Sequence, residues 1–178
     1  MLIGILSDTH GDAVRTERAF ALLEANGAKK FYHCGDVGGE PVLDVMAGRD
    51  CTFVWGNCDS ESPLLTRYVR ALGLTPPKLP TRETHAGKSI AVYHGHERDF
   101  DSFLRQPDCD YLFHGHTHRR DDRRVGQCRV INPGALHRAA VHTVAILDLA
   151  EDQLRILDVD RGAVLNTPRV QTGPPEPS

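Results

Sequence analysis

No two cysteines in this chain stand as Cys-x-x-Cys, and the five present, at positions 34, 51, 58, 109 and 128, are odd in number. Neither a closed disulfide framework nor a thiolate zinc site is expected from them, and a reducing, cytoplasmic setting is. Long apolar runs are also missing: none approaches the roughly twenty residues that span a bilayer. Met1 leads straight into Leu2-Ile3-Gly4-Ile5-Leu6 without the basic segment of a secretory signal, so no membrane partner is expected. There is no basic surplus, since the formal net charge is -3 and the pI is near 6.3. That removes the simplest electrostatic case for nonspecific nucleic-acid binding, although a small cleft can act on nucleic acid without a basic face. Histidine is what the chain has in quantity. Five of its ten, His94, His96, His114, His116 and His118, crowd into one short stretch.

A length of 178 residues suits one domain. Asp12 is placed to cap a helix carrying Ala19, Leu22 and Leu23 that ends at Asn26-Gly27. Lys29 to Cys34 reads as a buried strand, Pro41 to Met46 as a short helix, and Thr52 to Trp55 as a further strand. Ser62-Pro63 opens a third helix that runs to Gly73. Alternation of strand and helix with a polar loop after each strand predicts a parallel α/β sheet with ligands at the carboxyl ends of its strands. Beyond Thr75-Pro76-Pro77, a hairpin over Thr81 to Tyr93, a short helix around Phe100 to Leu104, and strands at Tyr111–His114, Arg129–Asn132, Thr143–Leu149 and Gln153–Val159 predict a second, largely antiparallel sheet packed on the first. The domain is expected to cover residues 1–160. Residues 161–178, rich in proline towards the end, are expected to form a disordered tail.

Polar residues just past the predicted strands are Asp8, His10, Asp36, Asn57, His94, His116 and His118. All offer oxygen or nitrogen, and the mixture of imidazole and carboxylate suits zinc, manganese, iron or nickel better than calcium. Seven donors exceed what one tetrahedral ion takes and match two ions sharing a bridging carboxylate. Asp8 with His10, and His116 with His118, are spaced two apart, so each pair would face one way in extended chain. Gly115 permits close approach of the backbone beside the second pair.

Asp8-x-His10, Gly35-Asp36, Gly56-Asn57, His94 and Gly115-His116-x-His118, in that order, resemble the calcineurin-like metallophosphoesterases, and among them the small single-domain phosphodiesterases of bacteria and archaea. The resemblance runs from Met1 to about Val159. It implies a four-layer αββα sandwich of two mixed β-sheets with helices outside. It also implies a first metal held by Asp8, His10, Asp36 and His118, and a second held by Asp36, Asn57, His94 and His116. Two divalent transition-metal ions, manganese first with nickel, iron, zinc or cobalt as alternatives, would lie about 4 Å apart. They would activate a bridging hydroxide for in-line attack on a small phosphate diester. A scaffold subunit of retromer shares this fold and works by binding proteins, and a phosphomonoesterase or nucleotide phosphatase could use the same centre. The complete set of seven ligand positions favours an enzyme over the scaffold and leaves the monoesterase alternative open.

One departure concerns the leaving group. Larger family members carry Gly-Asn-His, where this chain has Gly56-Asn57-Cys58, and a thiol is a poor proton donor to an alkoxide. The small phosphodiesterases share the cysteine, which becomes a substrate-contact candidate, and His96, two residues past His94, becomes the general-acid candidate. The turn Asn132-Pro133-Gly134-Ala135 resembles one that shapes the family's pocket and would bring His137 close. His33 and His114 are expected to orient ligands or fill core space, and Cys51, Cys109 and Cys128 to be small core residues. Arg119-Arg120-Asp121-Asp122-Arg123-Arg124 alternates in sign by pairs. It is expected to be a solvated hairpin tip rather than a contact for the diester's flanking charge. Self-association stays open at this stage.

Overall fold

The computed structural model describes residues 1–165 and the backbone of 171–172. In chain order the elements are β1 (Leu2–Leu6), α1 (Ala13–Ala25), β2 (Lys30–His33), α2 (Glu40–Met46), β3 (Cys51–Phe53), α3 (Pro63–Ala71), β4 (Thr81–His85) and β5 (Lys88–Val92). They continue with α4 (Phe100–Arg105), β6 (Tyr111–Phe113), β7 (Asp121–Val125), β8 (Cys128–Asn132), β9 (Thr143–Asp148), β10 (Gln153–Asp158), β11 (Ala163–Leu165) and β12 (Gln171–Thr172). One sheet runs β11-β10-β9-β1-β2-β3 and the other β12-β7-β8-β6-β5-β4. Both are mixed, as the resemblance implied.

Residue alternation along the strands builds the layers. In β1, Ile3 and Ile5 face the other sheet while Leu6 faces α1 to α3; in β9, Ala145 and Leu147 face the sheet and Val144 and Ile146 the helices. The second sheet repeats the pattern, with Ile90, Val92, Tyr111, Phe113 and Ile131 turned inward and Ala91, Leu112 and Val130 packed with Phe100 and Leu104 of α4. Three apolar clusters thus separate four layers. Helix ends follow local chemistry: Asp12 accepts the Arg15 N–H at 2.9 Å ahead of α1, and Ser62 accepts the Leu65 N–H at 3.1 Å ahead of α3, where Pro63 stands at the first turn.

Several expectations about the second half need correction. β9 and β10 do not join the second sheet; β9 lies antiparallel on β1, and β10 on β9. β9 is buried on both faces and β10 fully on one, where Leu154 and Ile156 lie, patterns that suit either sheet equally, so periodicity had no means of choosing. Nor is the second sheet largely antiparallel. β5 with β6, β6 with β8 and β12 with β7 are parallel, whereas β4 with β5 and β7 with β8 are antiparallel.

The expected hairpin tip at Arg119 to Arg124 is largely strand β7; the turn lies at Gly126-Gln127. Asp122 is buried and accepts a paired hydrogen bond from the Arg129 guanidinium at 2.8 Å. Part of the expected tail is likewise strand, because Ala163–Leu165 pairs with β10 and Gln171–Thr172 with β7. The rest of that expectation falls on residues 166–170 and 173–178, outside the described residues. Among the described residues no helix is long and apolar enough to cross a membrane.

Candidate metal centre

The carboxyl ends of β1, β2 and β3 meet those of β5, β6 and β8 along one edge of the sandwich, and backbone hydrogen bonds lace the loops together. Asp8 N–H donates to the Gly35 carbonyl at 3.0 Å, His10 N–H to Asp36 at 2.9 Å, and Gly115 N–H to His94 at 2.9 Å. Across the two sheets, the His116 N–H reaches Asp8 Oδ2 at 3.2 Å. Two glycines are required by space. A Cβ at Gly56 would stand 2.1 Å from Asp36 Oδ1, and one at Gly115 would stand 1.9 Å from the Ser7 hydroxyl and 2.7 Å from Asp8 Oδ2.

The candidate pairs do not adopt extended chain. Asp8, His10, Asp36, His116 and His118 all have positive φ, between 45° and 67°. These left-handed conformations are uncommon for residues with a Cβ and tend to collect at functional sites. The consequence is that neighbours two apart need not share a destination. His118 Nε2 lies 3.2 Å from Asp8 Oδ1, whereas the His116 ring stands beside His94, with ring centroids 5.0 Å apart.

Asp8, His10, Asp36 and His118 each offer one donor atom, all within 4.8 Å of one another. Asp8 is wholly buried and Asp36 nearly so. Asp8 Oδ1 and His10 Nε2 are buried with no hydrogen-bond partner among the described residues. A buried carboxylate oxygen left unpaired is costly, and a cation held among these four groups would satisfy it. The donor set therefore fits a transition metal. Burial raises the Asp8 carboxyl above the usual carboxylate range. Burial also opposes ionisation of Asp36, but hydrogen bonding from His94 and from the Cys58 N–H outweighs it and holds that carboxyl well below the usual range.

A second set of donors converges on the other side of Asp36. His94 Nδ1 is 2.8 Å from the Cys34 carbonyl, which can only accept, so Nδ1 carries hydrogen. Nε2 then faces two more oxygens, Asn57 Oδ1 at 3.1 Å and Asp36 Oδ2 at 3.5 Å. A neutral ring would aim its lone pair at oxygen there. Either Nε2 is protonated, in keeping with a pKa raised by Asp36 and the Cys34 carbonyl against the pull of burial, or a cation sits between nitrogen and oxygens. Asn57, His94 and Asp36 thus converge as donors on this side, with the His116 ring beside that of His94.

The weaker candidates also lie here. The His96 ring is 5.2 Å from that of His94 and 6.3 Å from that of His116. Cys58 is exposed at the rim, and the His137 ring lies 5.1 Å from His10. His33 and His114 are buried supports: burial pushes the first down to about 3 and the second to about 4, so both are neutral near pH 7. His33 Nδ1 accepts the Gly35 N–H at 3.2 Å, which leaves Nε2–H to donate to the Thr9 hydroxyl at 2.9 Å.

Sequence reasoning missed two carboxylates that hold the loops. Asp59 accepts N–H groups of Val37 at 3.1 Å, Gly38 at 2.8 Å and Gly56 at 2.8 Å. Glu97 accepts those of His94 and Gly95, both at 2.7 Å. The available signal was their position, two and three residues past a candidate ligand, where a carboxylate can collect the free N–H groups of a loop.

Phosphodiesterase MJ0936 of Methanocaldococcus jannaschii is 24% identical over 161 residues, which cover 87% of this chain and 97% of that protein. YfcE, a phosphoesterase from Escherichia coli, superposes with a TM-score of 0.72 at 24% identity, covering 96% of this chain and all of the other. Vps29 of Entamoeba histolytica, solved in complex with Zn2+, superposes with a TM-score of 0.64 at 19% identity, covering 93% and 96%. At these identities the likenesses concern the fold. The family model for a calcineurin-like phosphoesterase superfamily domain matches residues 1–152, a span that contains every candidate ligand, and the chain belongs to that superfamily.

Proposed function

We propose that this protein is a dinuclear-metal-dependent phosphodiesterase acting on small phosphate diesters. The observation that carries the reading is the convergence of Asp8, His10, Asp36 and His118 within 4.8 Å, with Asp36 also turned to His94. A scaffold role needs no such convergence of imidazole and carboxylate donors around two buried carboxylates. Divalent ions held there would lower the pKa of a water near neutral pH and neutralise charge on the phosphate oxygens. Asp36 is the shared ligand, Asp8, His10 and His118 complete one site, and Asn57, His94 and His116 complete the other. Manganese is the ion we expect first, with nickel, iron, zinc or cobalt able to replace it, because such donors discriminate weakly. Cysteine usage is our ground for placing the protein in the cytoplasm.

The residues of the chain do the remaining work. The Cys34 carbonyl fixes the His94 ring and Asp59 fixes both loops that carry Asp36 and Asn57. His96, about one-third exposed and beside His94, protonates the leaving oxygen, while Cys58 and His137 contact the bound diester from either side. General acids of this kind contribute about 10²-fold or more where the leaving group is poor. His96→Ala is therefore expected to slow diesters of poor leaving groups far more than 4-nitrophenyl esters. An equal loss for both would remove His96 from that role.

Vps29 of E. histolytica was solved with Zn2+, so metal content alone does not separate an enzyme from a relative of other function. The test is the metal content of protein purified without added metal, then hydrolysis of bis(4-nitrophenyl) phosphate and 4-nitrophenyl phosphate after reconstitution. Turnover of the diester well above the monoester is expected. Preference for the monoester would make the protein a phosphomonoesterase, and metal binding without turnover of either would favour a scaffold.

A further inference from the structure

A cleft of about 530 Å³ opens next to His118, and its lining carries Arg119, Arg120 and Arg138 but no carboxylate. All three arginines are exposed. Their neighbours have protein counterions: Arg15 pairs with Asp12 and Asp160, Arg123 with Asp121, Arg124 with Asp152, and Arg129 with Asp122. Both aspartates of the Arg119 to Arg124 stretch are thus engaged by arginines further along β7 and β8. No ion pair or guanidinium hydrogen bond is recorded for Arg119, Arg120 or Arg138 among the described residues, which leaves three uncompensated charges around one hollow. Arg138 has positive φ, 49°, another non-glycine residue held in a sparsely populated conformation beside the site. Arg138 directly follows His137, whose ring lies 5.1 Å from that of His10, and it shares the cleft lining with His118.

Guanidinium groups match phosphate oxygens through paired N–H donors and stay charged at every pH of interest. His118 belongs both to the metal centre and to the cleft lining, so the cleft adjoins the place where a diester's phosphorus would be held and offers room for one of its two arms. We propose that Arg119, Arg120 and Arg138 form a second-phosphate subsite, so that the preferred substrate is a phosphate diester bearing a further phosphate about one sugar ring from the scissile one. This rests on the phosphodiesterase reading and narrows it to a substrate class. The chemistry recognised is that of a nucleotide chain or a phosphorylated nucleotide ester rather than of a singly charged diester.

The experiment compares thymidine 5′-(4-nitrophenyl phosphate) with the same ester phosphorylated at the 3′-oxygen. Leaving group and reacting phosphorus are identical, so only the second phosphate differs. The native protein is expected to show kcat/KM roughly tenfold higher for the 3′-phosphorylated ester, carried mainly by KM and shrinking as salt screens the exposed charges. In the triple variant Arg119→Gln, Arg120→Gln, Arg138→Gln that ratio is expected to fall to about one. A ratio of one in the native protein, or an unchanged ratio in the triple variant, overturns the subsite while leaving the diesterase reading intact. Failure of the native protein to hydrolyse either ester strikes the diesterase reading instead. The subsite is then decided by calorimetric titration with thymidine 3′,5′-bisphosphate and thymidine 5′-monophosphate. Tighter binding of the bisphosphate that disappears in the triple variant supports it, and equal binding overturns it.

Discussion

Lys30 opens the short strand β2 and Asp36 lies three residues past its other end, and each is a buried charge at the centre of a charged cluster. Around Lys30 the protein supplies its own counterions, with Asp50 at 2.9 Å, Glu83 at 3.1 Å and the Thr52 hydroxyl at 2.9 Å. Glu83 in turn takes the Tyr32 hydroxyl and His85 Nε2, each at 2.8 Å, and its carboxyl is pushed down to about 2 although burial works in the other direction. Around Asp36 the count of donors and acceptors does not close. Asp8 Oδ1 and His10 Nε2 make no hydrogen bond among the described residues and face other members of the cluster, His118 Nε2 at 3.2 Å and Asp36 Oδ2 at 3.4 Å respectively, and five of the candidate ligands occupy left-handed backbone. The first cluster is complete as protein and ties the two sheets together. The second leaves buried donors and acceptors without hydrogen bonds, as a site that could hold a cation does, and this contrast separates a structural ion network from a candidate binding site better than burial or charge alone.

Removing the shared carboxylate should break the contrast most severely. Asp36→Asn is expected to lower metal content at both positions, measured by elemental analysis, and to cut kcat/KM for bis(4-nitrophenyl) phosphate by about 10³-fold or more. At the other end, Glu83→Gln leaves Lys30 short of a counterion and should destabilise the fold by roughly 2 kcal/mol in chemical denaturation, with metal content unchanged. The same group sets a pH dependence. Since its folded pKa is depressed from 4.5 to about 2, its contribution is present above about pH 4.5 and is lost as pH falls towards 2. Thermal melts of native and Glu83→Gln protein should therefore converge over that window. The smallest effect has the opposite sign. In metal-free protein, Asp8→Asn replaces a wholly buried carboxyl whose ionisation burial opposes by a neutral amide and should raise the melting temperature slightly, whereas in metal-loaded protein it should lower it.

Much of this site was legible in the chain because the relevant information is local. Asp8, Asp36, Asn57, His94, His116 and His118 each follow a short apolar run by one to five residues, and strand ends are where side chains leave the core. The distribution of strands between sheets was not legible, since Val144 to Leu147 alternate between two apolar layers wherever they are placed. Backbone conformation was hidden as well. Asp-x-His read as extended chain predicts a shared direction, while the left-handed residues in fact send His116 and His118 to different neighbours. The free charge of Arg119 and Arg120 could be seen only after Asp121 and Asp122 were found engaged elsewhere.

The Asp59 carboxylate grips Val37 and Gly38 in the loop after β2 and Gly56 in the loop after β3. One side chain thereby ties the segment bearing Asp36 to the segment bearing Asn57, and neither can settle around an ion without drawing the other along. For the pair of ions we propose, the conformational entropy lost in fixing these loops is charged mainly to whichever ion arrives first. The later one meets a site already in shape, so the centre should fill in an all-or-none manner, with half-loaded protein scarce at every metal concentration.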